Sequence, residues 1–279
     1  MTACSTSAPA QPGASPASAP TSTGRRRPSR LGKPSVRAAV TWEARKAANR
    51  WYWPALALLC AIGMVLGWSN YKEFQSEFAD QGMSWSAVWG QASLLTTMLA
   101  VPLLVGAVIA QMASAEHEGR NWQRMSANRL EGTMLVGKLG HMALVAVLST
   151  LVLLAELLLT GVLLGFDLAG FIPFLARGVP IAMAIFAVEL FVAWLGVRMT
   201  SFASIMSALL LATLAGCAVT VLAPSLGALF PLSLITLASA SREPGSIASM
   251  ASIVHTTAVC AGWAALWAVA LRRSITRVA

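Results

Sequence analysis

The chain has 279 residues, of which 57% are hydrophobic and only 11% are charged, and its formal net charge is +9. Soluble domains carry about a quarter charged residues, so this composition excludes a soluble globular protein and indicates an integral membrane protein. The basic residues gather on one side of the predicted spans, so the positive charge fits membrane orientation better than nucleic-acid binding.

The N-terminal region is rich in Ala, Ser, Thr and Pro, and its first 24 residues contain no charge. Such a composition cannot build a packed core, so residues 1–35 are predicted to be a disordered tail. A signal peptide would place basic residues directly before an apolar run. Here Arg25, Arg26 and Arg27 come late and the first apolar run begins at Trp51, so no cleavable signal is expected.

A basic amphipathic helix is predicted before the first span. Apolar residues recur there at helical spacing, namely Val36, Val40, Ala44, Ala47 and Trp51. The basic residues fall largely elsewhere on the helical wheel, namely Arg37, Arg45, Lys46 and Arg50. This pattern is typical of a helix that lies in the membrane interface. An ordinary basic flank that only sets topology is the alternative.

Six apolar segments reach the length of about 20 residues that is needed to cross a hydrocarbon core of roughly 30 Å. They are Trp51–Trp68, Ala87–Ala113, Leu139–Gly165, Phe171–Val197, Phe202–Ala223 and Ile247–Leu271. Pro102 and Pro180 fall within two of them and are expected to kink the helices. We therefore predict an all-α integral membrane protein with a six-helix domain at 36–273 and a short cytoplasmic end at 274–279.

The basic residues also give an orientation. They concentrate in the N-terminal region, the second and fourth connections and the C-terminus, whereas the other side carries only Lys72, Arg177 and Arg242 beside five acidic residues. The positive-inside rule then places both termini in the cytoplasm, with the protein in the inner (plasma) membrane of the cell.

Two further patterns bear on packing. The segment Pro224–Ser246 is apolar but broken by prolines and glycines, so it fits either a partly re-entrant excursion or a plain extracellular loop. Gly63–Gly67 and Gly161–Gly165 have the GxxxG spacing that allows close helix approach. Packing within one subunit is expected for them, and contact with a second copy is the alternative.

The stretch Glu116–Lys138 is the one long polar interruption between the apolar segments, and two near-motifs in it fail. Leu139 stands where a phosphate-binding loop needs Ser or Thr after its lysine. His117 and Glu118 begin like a zinc-protease HExxH motif, but Asn121 stands at the second ligand position. The four cysteines have no metal spacing, so neither a metal site nor a catalytic site is predicted.

Among the ionisable residues inside the predicted spans, Glu156, Glu189 and His255 are singled out. Charges at membrane depth are costly and are therefore candidates for a polar translocation site. At a rise of about 1.5 Å per residue, Glu156 and His255 have similar depths, so a contact between them is one hypothesis. The alternative for each is a structural hydrogen bond to a neighbouring helix.

Within the polar stretch, Trp122, Met125 and Arg129 fall at positions i, i+3 and i+7, which predicts a short helix at Asn121–Leu130. Aromatic, Met and Arg side chains are the types that anchor protein interfaces, so this helix is interpreted as a docking site for a soluble partner. The alternative is that Trp122 rests in the lipid interface while the basic residues hold topology.

The stretch AEHEGRNWQRMSANRLEGTMLVGK (115–138) resembles the loop after the second span in ABC-2 type permeases, closest to the lantibiotic-immunity and multidrug exporter branch. WEARKAANRW (42–51) is similar to that family's N-terminal interface helix. Six spans and a broken apolar segment before the sixth also agree. One departure is NRLE (128–131), where this family often has a proline.

The resemblance implies that the short helix is a coupling helix seated in a groove of a separate ABC ATPase. It implies ATPase docking by Glu118, Asn121, Trp122, Arg124, Met125 and Arg129, and interface-helix roles for Trp42, Glu43, Arg45 and Lys46. ATP and Mg²⁺ would bind to that partner, because this chain carries no nucleotide-binding domain and no cofactor of its own. A second permease copy, identical or different, would complete the transporter.

The function expected from this resemblance is ATP-driven export of a peptide or an amphipathic small molecule, by a chain that is not itself an enzyme. Two alternatives belong to other classes. A membrane-embedded enzyme would use Glu156, Glu189 or His255 and needs them gathered at one depth. A non-transporting assembly subunit would bind a partner whose ATP hydrolysis drives no transport.

Overall fold

The chain is helical throughout the residues that the structure describes. These are residues 35–46, 50–119, 121–128 and 130–278 of a computed structural model. Every regular element among them is a helix, which confirms the predicted all-α class. The predicted tail at 1–35 lies outside the described residues except for Ser35, as does Ala47 of the predicted interface-helix pattern.

The α-helices in the described ranges are α1 Val36–Lys46, α2 Tyr52–Glu73, α3 Gln75–Asp80, α4 Ser84–Leu95, α5 Val101–Glu118, α6 Asn121–Ala127, α7 Glu131–Leu163, α8 Ile172–Arg198, α9 Phe202–Leu222, α10 Leu234–Ser239 and α11 Met250–Val278. Short 3₁₀ turns lie at Leu168–Phe171, Pro224–Leu229, Pro231–Ser233 and Pro244–Ser246. A π-helical turn joins α4 to α5, so the two form one continuous helix, Ser84–Glu118.

In the part of the chain that the structure describes, six helices are long and apolar enough to cross a membrane, and they confirm the six predicted spans. In chain order they are α2, the joined α4 and α5, α7, α8, α9 and α11. The protein is therefore a multi-pass helical membrane protein. Because consecutive spans alternate in direction, α1, α6 and the end of α11 share one end of the bundle, which we call the basic end. The other end is called the far end.

The polar connection after the second span is shorter than predicted. α5 continues through Glu118 and α7 begins at Glu131, so Glu116 and Lys138 lie in helices rather than in a loop. Hydropathy locates only the apolar part of a span, whereas a helix can continue beyond the hydrocarbon into the polar interface. The C-terminal end predicted at 274–279 likewise continues α11 as far as Val278.

Pro102 does not break the second span, because the π-helical turn Thr96–Ala100 precedes it. A proline has no amide hydrogen, so the carbonyl of Met98 loses the donor that normally lies four residues later. The thiol of Cys217 on α9 donates to this carbonyl at 3.6 Å. Pro180 lies inside α8 without ending it. Neighbouring helices can satisfy carbonyls freed in this way, as is usual for prolines in membrane spans.

Glycine sets the contact between the first and second spans. A Cβ atom at Gly63 would lie 2.6 Å from the carbonyl oxygen of Ala92, and one at Gly67 would lie 2.5 Å from that of Val88. The first GxxxG pair therefore packs within the subunit, as expected. At the second pair, a Cβ on Gly161 would meet the ring of Trp85 at 2.2 Å, while Gly165 follows the helix end at φ +77°.

The segment between α9 and α11 enters the bundle. Almost all residues from 231 to 241 are buried, and α10 contacts α8, α11 and the π-helical turn. Thr97 in that turn donates to the hydroxyl of Thr236 at 3.3 Å. Thr97 lies about 20 Å along the helix from Ser84, at 1.5 Å per residue. These contacts favour the re-entrant interpretation of Pro224–Ser246 over a plain loop.

The glycine contact gives a matched test of packing. Gly63→Ala should lower the melting temperature in detergent by the equivalent of about 1–3 kcal/mol, because the added methyl group meets a backbone carbonyl. Gly262→Ala is the control, since a Cβ there meets nothing within 4 Å and the helix gains an alanine. Equal melting temperatures for the two variants would contradict the packing described here.

Candidate functional site

Three helices meet at the basic end. α1 lies along the first part of α7, and two glycines make this close approach possible. A Cβ atom at Gly137 would lie 3.0 Å from the carbonyl oxygen of Ala39, and one at Gly140 would lie 2.5 Å from a methyl group of Val40. The end of α5 reaches the same place, and α6 contacts both α5 and α7. We call this arrangement the helix junction.

Four charged side chains form a cluster inside the helix junction. Lys46 Nζ lies 2.9 Å from a carboxylate oxygen of Glu43 and 2.9 Å from one of Glu116. Lys138 Nζ lies 3.1 Å from the other oxygen of Glu43 and 2.7 Å from the same oxygen of Glu116. Each ammonium group therefore bridges both carboxylates, and the four charges sum to zero. The cluster joins α1 to α5 and α7, with Glu43 95 residues before Lys138 and Lys46 70 residues before Glu116.

The cluster is shielded from solvent. Glu43, Glu116 and Lys138 are exposed by 2%, 3% and 7%, whereas the Lys46 side chain keeps 28% of its surface. Burial lowers the pKa of Lys46, but the hydrogen bonds and charges of Glu116 and Glu43 outweigh it and raise this pKa above 10.5. The stabilisation gained by Lys46 is thus complete at neutral pH and is lost only as the pH rises through that raised pKa.

Two histidines flank the cluster. His117, which follows Glu116 on α5, places Nε2 2.7 Å from the carbonyl oxygen of Gly196 near the end of α8. The fourth span is thereby tied to the same junction. His141 lies three residues after Lys138 on α7 and is buried, and neither of its ring nitrogens has a hydrogen-bond partner among the described residues. Within the described residues, no group of His, Cys, Asp and Glu side chains is suited to hold a metal ion.

The predicted interface helix forms as α1, but two of its four candidate residues turn inward. Glu43 is the only buried residue of α1, and it enters the charged cluster together with Lys46. Trp42 and Arg45 stay exposed, with 57% of Trp42 accessible. Glu116 and Lys138 are not among the functional residues that the sequence predicts, because they only border the stretch that is predicted to be a loop. The sequence carries one signal for them: Glu116 near the end of the second span and Lys138 near the start of the third have opposite charges.

The predicted docking helix forms as α6 but ends at Ala127, three residues before the predicted end at Leu130. Asn128 explains the early end, because its side-chain amide donates to the carbonyl of Arg124 at 2.6 Å. The amide of Leu130 then closes the turn by donating to the carbonyl of Met125 at 2.9 Å. An asparagine side chain that donates to such a carbonyl replaces the backbone hydrogen bond that would continue the helix.

The docking candidates occupy different environments around α6. Glu118 and Arg124 are exposed, whereas Asn121 and Met125 are partly buried. Arg129 and the side chain of Trp122 lie outside the described residues. A cleft of about 700 Å³ separates α6 from α1, and its wall includes Trp42, Met125 and Met134. The exposed surface of α6 and this apolar cleft lie directly beside the charged cluster.

The three intramembrane candidates are not brought together. Glu156 on α7 is partly buried, and His255 on α11 is exposed. Neither a hydrogen bond nor an ion pair joins these two described residues, so the proposed contact does not form. Glu189 on α8 is fully buried, and neither of its carboxylate oxygens has a hydrogen-bond partner in the described part of the chain. No shared polar site results from the three.

The cluster predicts a strong dependence of stability on each member. Lys138→Met should destabilise the protein by about 3–5 kcal/mol, because both buried carboxylates then depend on Lys46 alone. Lys72→Met, which removes an exposed cation at the far end, should have little effect and serves as the control. Thermal unfolding in detergent measures both variants.

A double-mutant cycle tests the pairing itself. Glu116→Gln with Lys138→Met removes one charge of each sign and leaves the pair of Glu43 and Lys46 intact. The double variant should therefore lose less stability than the sum of the two single variants. Strict additivity would show that the two side chains do not interact.

Comparison with known proteins leaves the site without a family assignment. No protein-family model matches the chain, and no curated protein matches it. The function is therefore inferred from the charged cluster, the short helix beside it and the six spans that they connect.

Proposed function

We propose that this chain is the permease subunit of an ATP-driven ABC-2 type exporter, which moves a peptide or an amphipathic small molecule out of the cell. The observation that carries this proposal is the charged cluster. It binds α1 to the ends of the two spans that flank α6, so the short helix and its surroundings are held as one unit.

This arrangement suits the transmission of force. α6 is a short helix whose Gln123 and Arg124 side chains are exposed, and it contacts α5, α7 and α11. A partner that pushes on α6 would move the ends of the second and third spans together, because separating them would break buried ion pairs. Buried contacts with two discrete arrangements can convert such a push into a change of state.

The orientation of the spans supports the same proposal. Basic residues at the basic end include Arg37, Arg45, Arg124, Arg198 and Arg272. By the positive-inside rule this end faces the cytoplasm, where a soluble ATPase would reach α6. ATP and Mg²⁺ would then bind on that ATPase. A second permease copy, identical or different, would supply the other half of the pathway.

The two alternatives fit the structure less well. An enzyme built on intramembrane side chains needs them at one place. Glu156 and His255 are not in contact, and the buried carboxylate of Glu189 has no hydrogen-bond partner among the described residues. An assembly subunit would need a docking surface but no buried connection from that surface to several spans. The cluster supplies such a connection, which favours transport.

Site-specific photo-crosslinking tests the partner. A photo-reactive amino acid at Gln123 of the full chain, irradiated in its native cells, should yield an adduct that mass spectrometry identifies as an ABC ATPase. Ser76, an exposed residue of α3 at the far end, is the control position and should give no such adduct. Adducts at Gln123 that contain no ATPase, or equal ATPase yields at both positions, would rule out the docking proposal.

Coupling requires a second measurement on the complex of this chain with the ATPase captured at Gln123. Lys138→Met should leave the ATPase bound but lower its hydrolysis rate several-fold, since the push on α6 no longer reaches the spans as one unit. Lys72→Met should not change the rate. Unchanged hydrolysis in the Lys138 variant, with the complex intact, would favour the assembly subunit instead.

A further inference from the structure

A second polar site lies at the far end of the bundle. A pocket of about 80 Å³ opens between the end of α9, the re-entrant segment and the start of α11. Six hydroxyl side chains line it: Thr220, Ser233, Thr236, Ser246, Ser252 and Thr256. Arg242 and Glu243 are the charged lining residues.

A buried guanidinium stands behind this pocket. Arg177 on α8 is 0% exposed, and its Nη2 donates to the carbonyl oxygen of Ser246 at 2.7 Å and to the hydroxyl of Ser252 at 2.8 Å. Nε and Nη1 of Arg177 are buried with no hydrogen-bond partner in the described residues. An arginine is always charged, so a fixed positive charge stands against the serine wall of the pocket.

Three hydroxyl groups are left with hydrogens to donate. Ser252 accepts from Arg177, and Thr236 accepts from Thr97, so the hydrogen of each hydroxyl is free for another acceptor. Thr256 lies one helical turn after Ser252, on the same face of α11, and has no hydrogen-bond partner among the described residues. These three hydroxyls can donate to a ligand, whereas Thr220, Ser233 and Ser246 already donate to backbone carbonyls.

The charges point the same way. Arg177 and Arg242 bring two positive charges to this region, and Glu243 brings one negative charge. Arg242 also donates to the carbonyl oxygen of Thr220, which holds it at the pocket wall. One positive charge remains in excess, and Arg177 is fully buried, where charges interact more strongly than in water. An anionic group is favoured there over a cationic one.

Apolar side chains adjoin the lining residues along the chain. Leu222 is 81% exposed and Leu229 is 70% exposed, on either side of the lining residues Pro224 and Gly227. Exposed apolar side chains of this size pack more favourably against lipid or an alkyl chain than against water. A ligand with an anionic head in the pocket could therefore keep an apolar chain against this surface.

We propose that this pocket binds the anionic oxygen group, a carboxylate or a phosphate, of an amphipathic ligand. That this ligand is the exported substrate rests on the proposed function, whereas the binding itself requires only this chain. The hydroxyl donors, Arg242 and the charge of Arg177 hold the anionic oxygens. Glu243 weakens the site and thereby favours release.

The test is a binding titration of the purified full chain in neutral-detergent micelles, with dodecyl phosphate as the probe. Arg242→Gln and Thr256→Val should each weaken binding about tenfold, as expected for the loss of a hydrogen bond to a charged ligand. Glu243→Gln should tighten binding, because the opposing charge is gone. Lys72→Gln, an exposed cation outside the pocket, is the matched control and should bind as the unaltered chain does.

The outcomes separate the possible ligands. Saturable binding of dodecyl phosphate that is at least tenfold tighter than that of inorganic phosphate supports an amphipathic anion. Equal binding of the two phosphates overturns the amphipathic part and leaves a site for free anions. Equal binding of uncharged dodecanol, or weaker binding after Glu243→Gln, overturns the whole proposal.

Failure of this proposal can be told apart from failure of the proposed function, because the titration contains no ATPase. Absent binding with an intact ATPase adduct at Gln123 would remove only the pocket proposal. Saturable binding without any ATPase adduct would remove only the exporter. Gel filtration of each variant before titration shows that the protein is still folded.

Discussion

The charges of Glu43, Lys46, Glu116 and Lys138 are buried together, and the arrangement of the basic end depends on that fact. Removing an ion from water costs several kcal/mol, which is offset only when opposite charges and hydrogen bonds surround it. Here each ammonium group contacts both carboxylates. The helices that carry them cannot separate without leaving a charge unpaired. α1 is thus an integral part of the bundle rather than a helix that merely rests on its surface.

The same constraint shapes the interior of the bundle, where water cannot satisfy polar groups. In the π-helical turn before Pro102, the carbonyl of Met98 accepts a hydrogen bond from the thiol of Cys217, and the hydroxyl of Thr97 donates to that of Thr236. The indole of Trp89 donates to the carbonyl of Ser239 at 2.8 Å. Such bonds fasten the irregular backbone of the re-entrant segment to the second span. That segment is held at depth by polar contacts as well as by apolar packing.

The sequence was sufficient for what depends on local composition. Runs of apolar residues located all six spans, and helical spacing located α1 and α6. The sequence alone could not predict which charged residues pair, since Glu43 and Lys138 lie 95 residues apart and only the folded chain brings them together. Hydropathy also hid the helical ends that contain Glu116 and Lys138, because polar residues at a span border look the same in a helix and in a loop. The hydroxyl pocket with Arg177 behind it could not be predicted either, because Arg177 and Ser252 lie 75 residues apart in the sequence.

The second span connects the two sites. Its last turns carry Glu116 into the charged cluster, and its π-helical turn carries Thr97 against Thr236, which lines the far-end pocket. A π-helical turn is a local departure from regular hydrogen bonding, and such turns are common at functional positions in helices. A shift at α6 that moves the end of α5 therefore acts on a helix whose middle touches the wall of the pocket. One continuous helix gives the pocket a physical connection to the place where a partner would push.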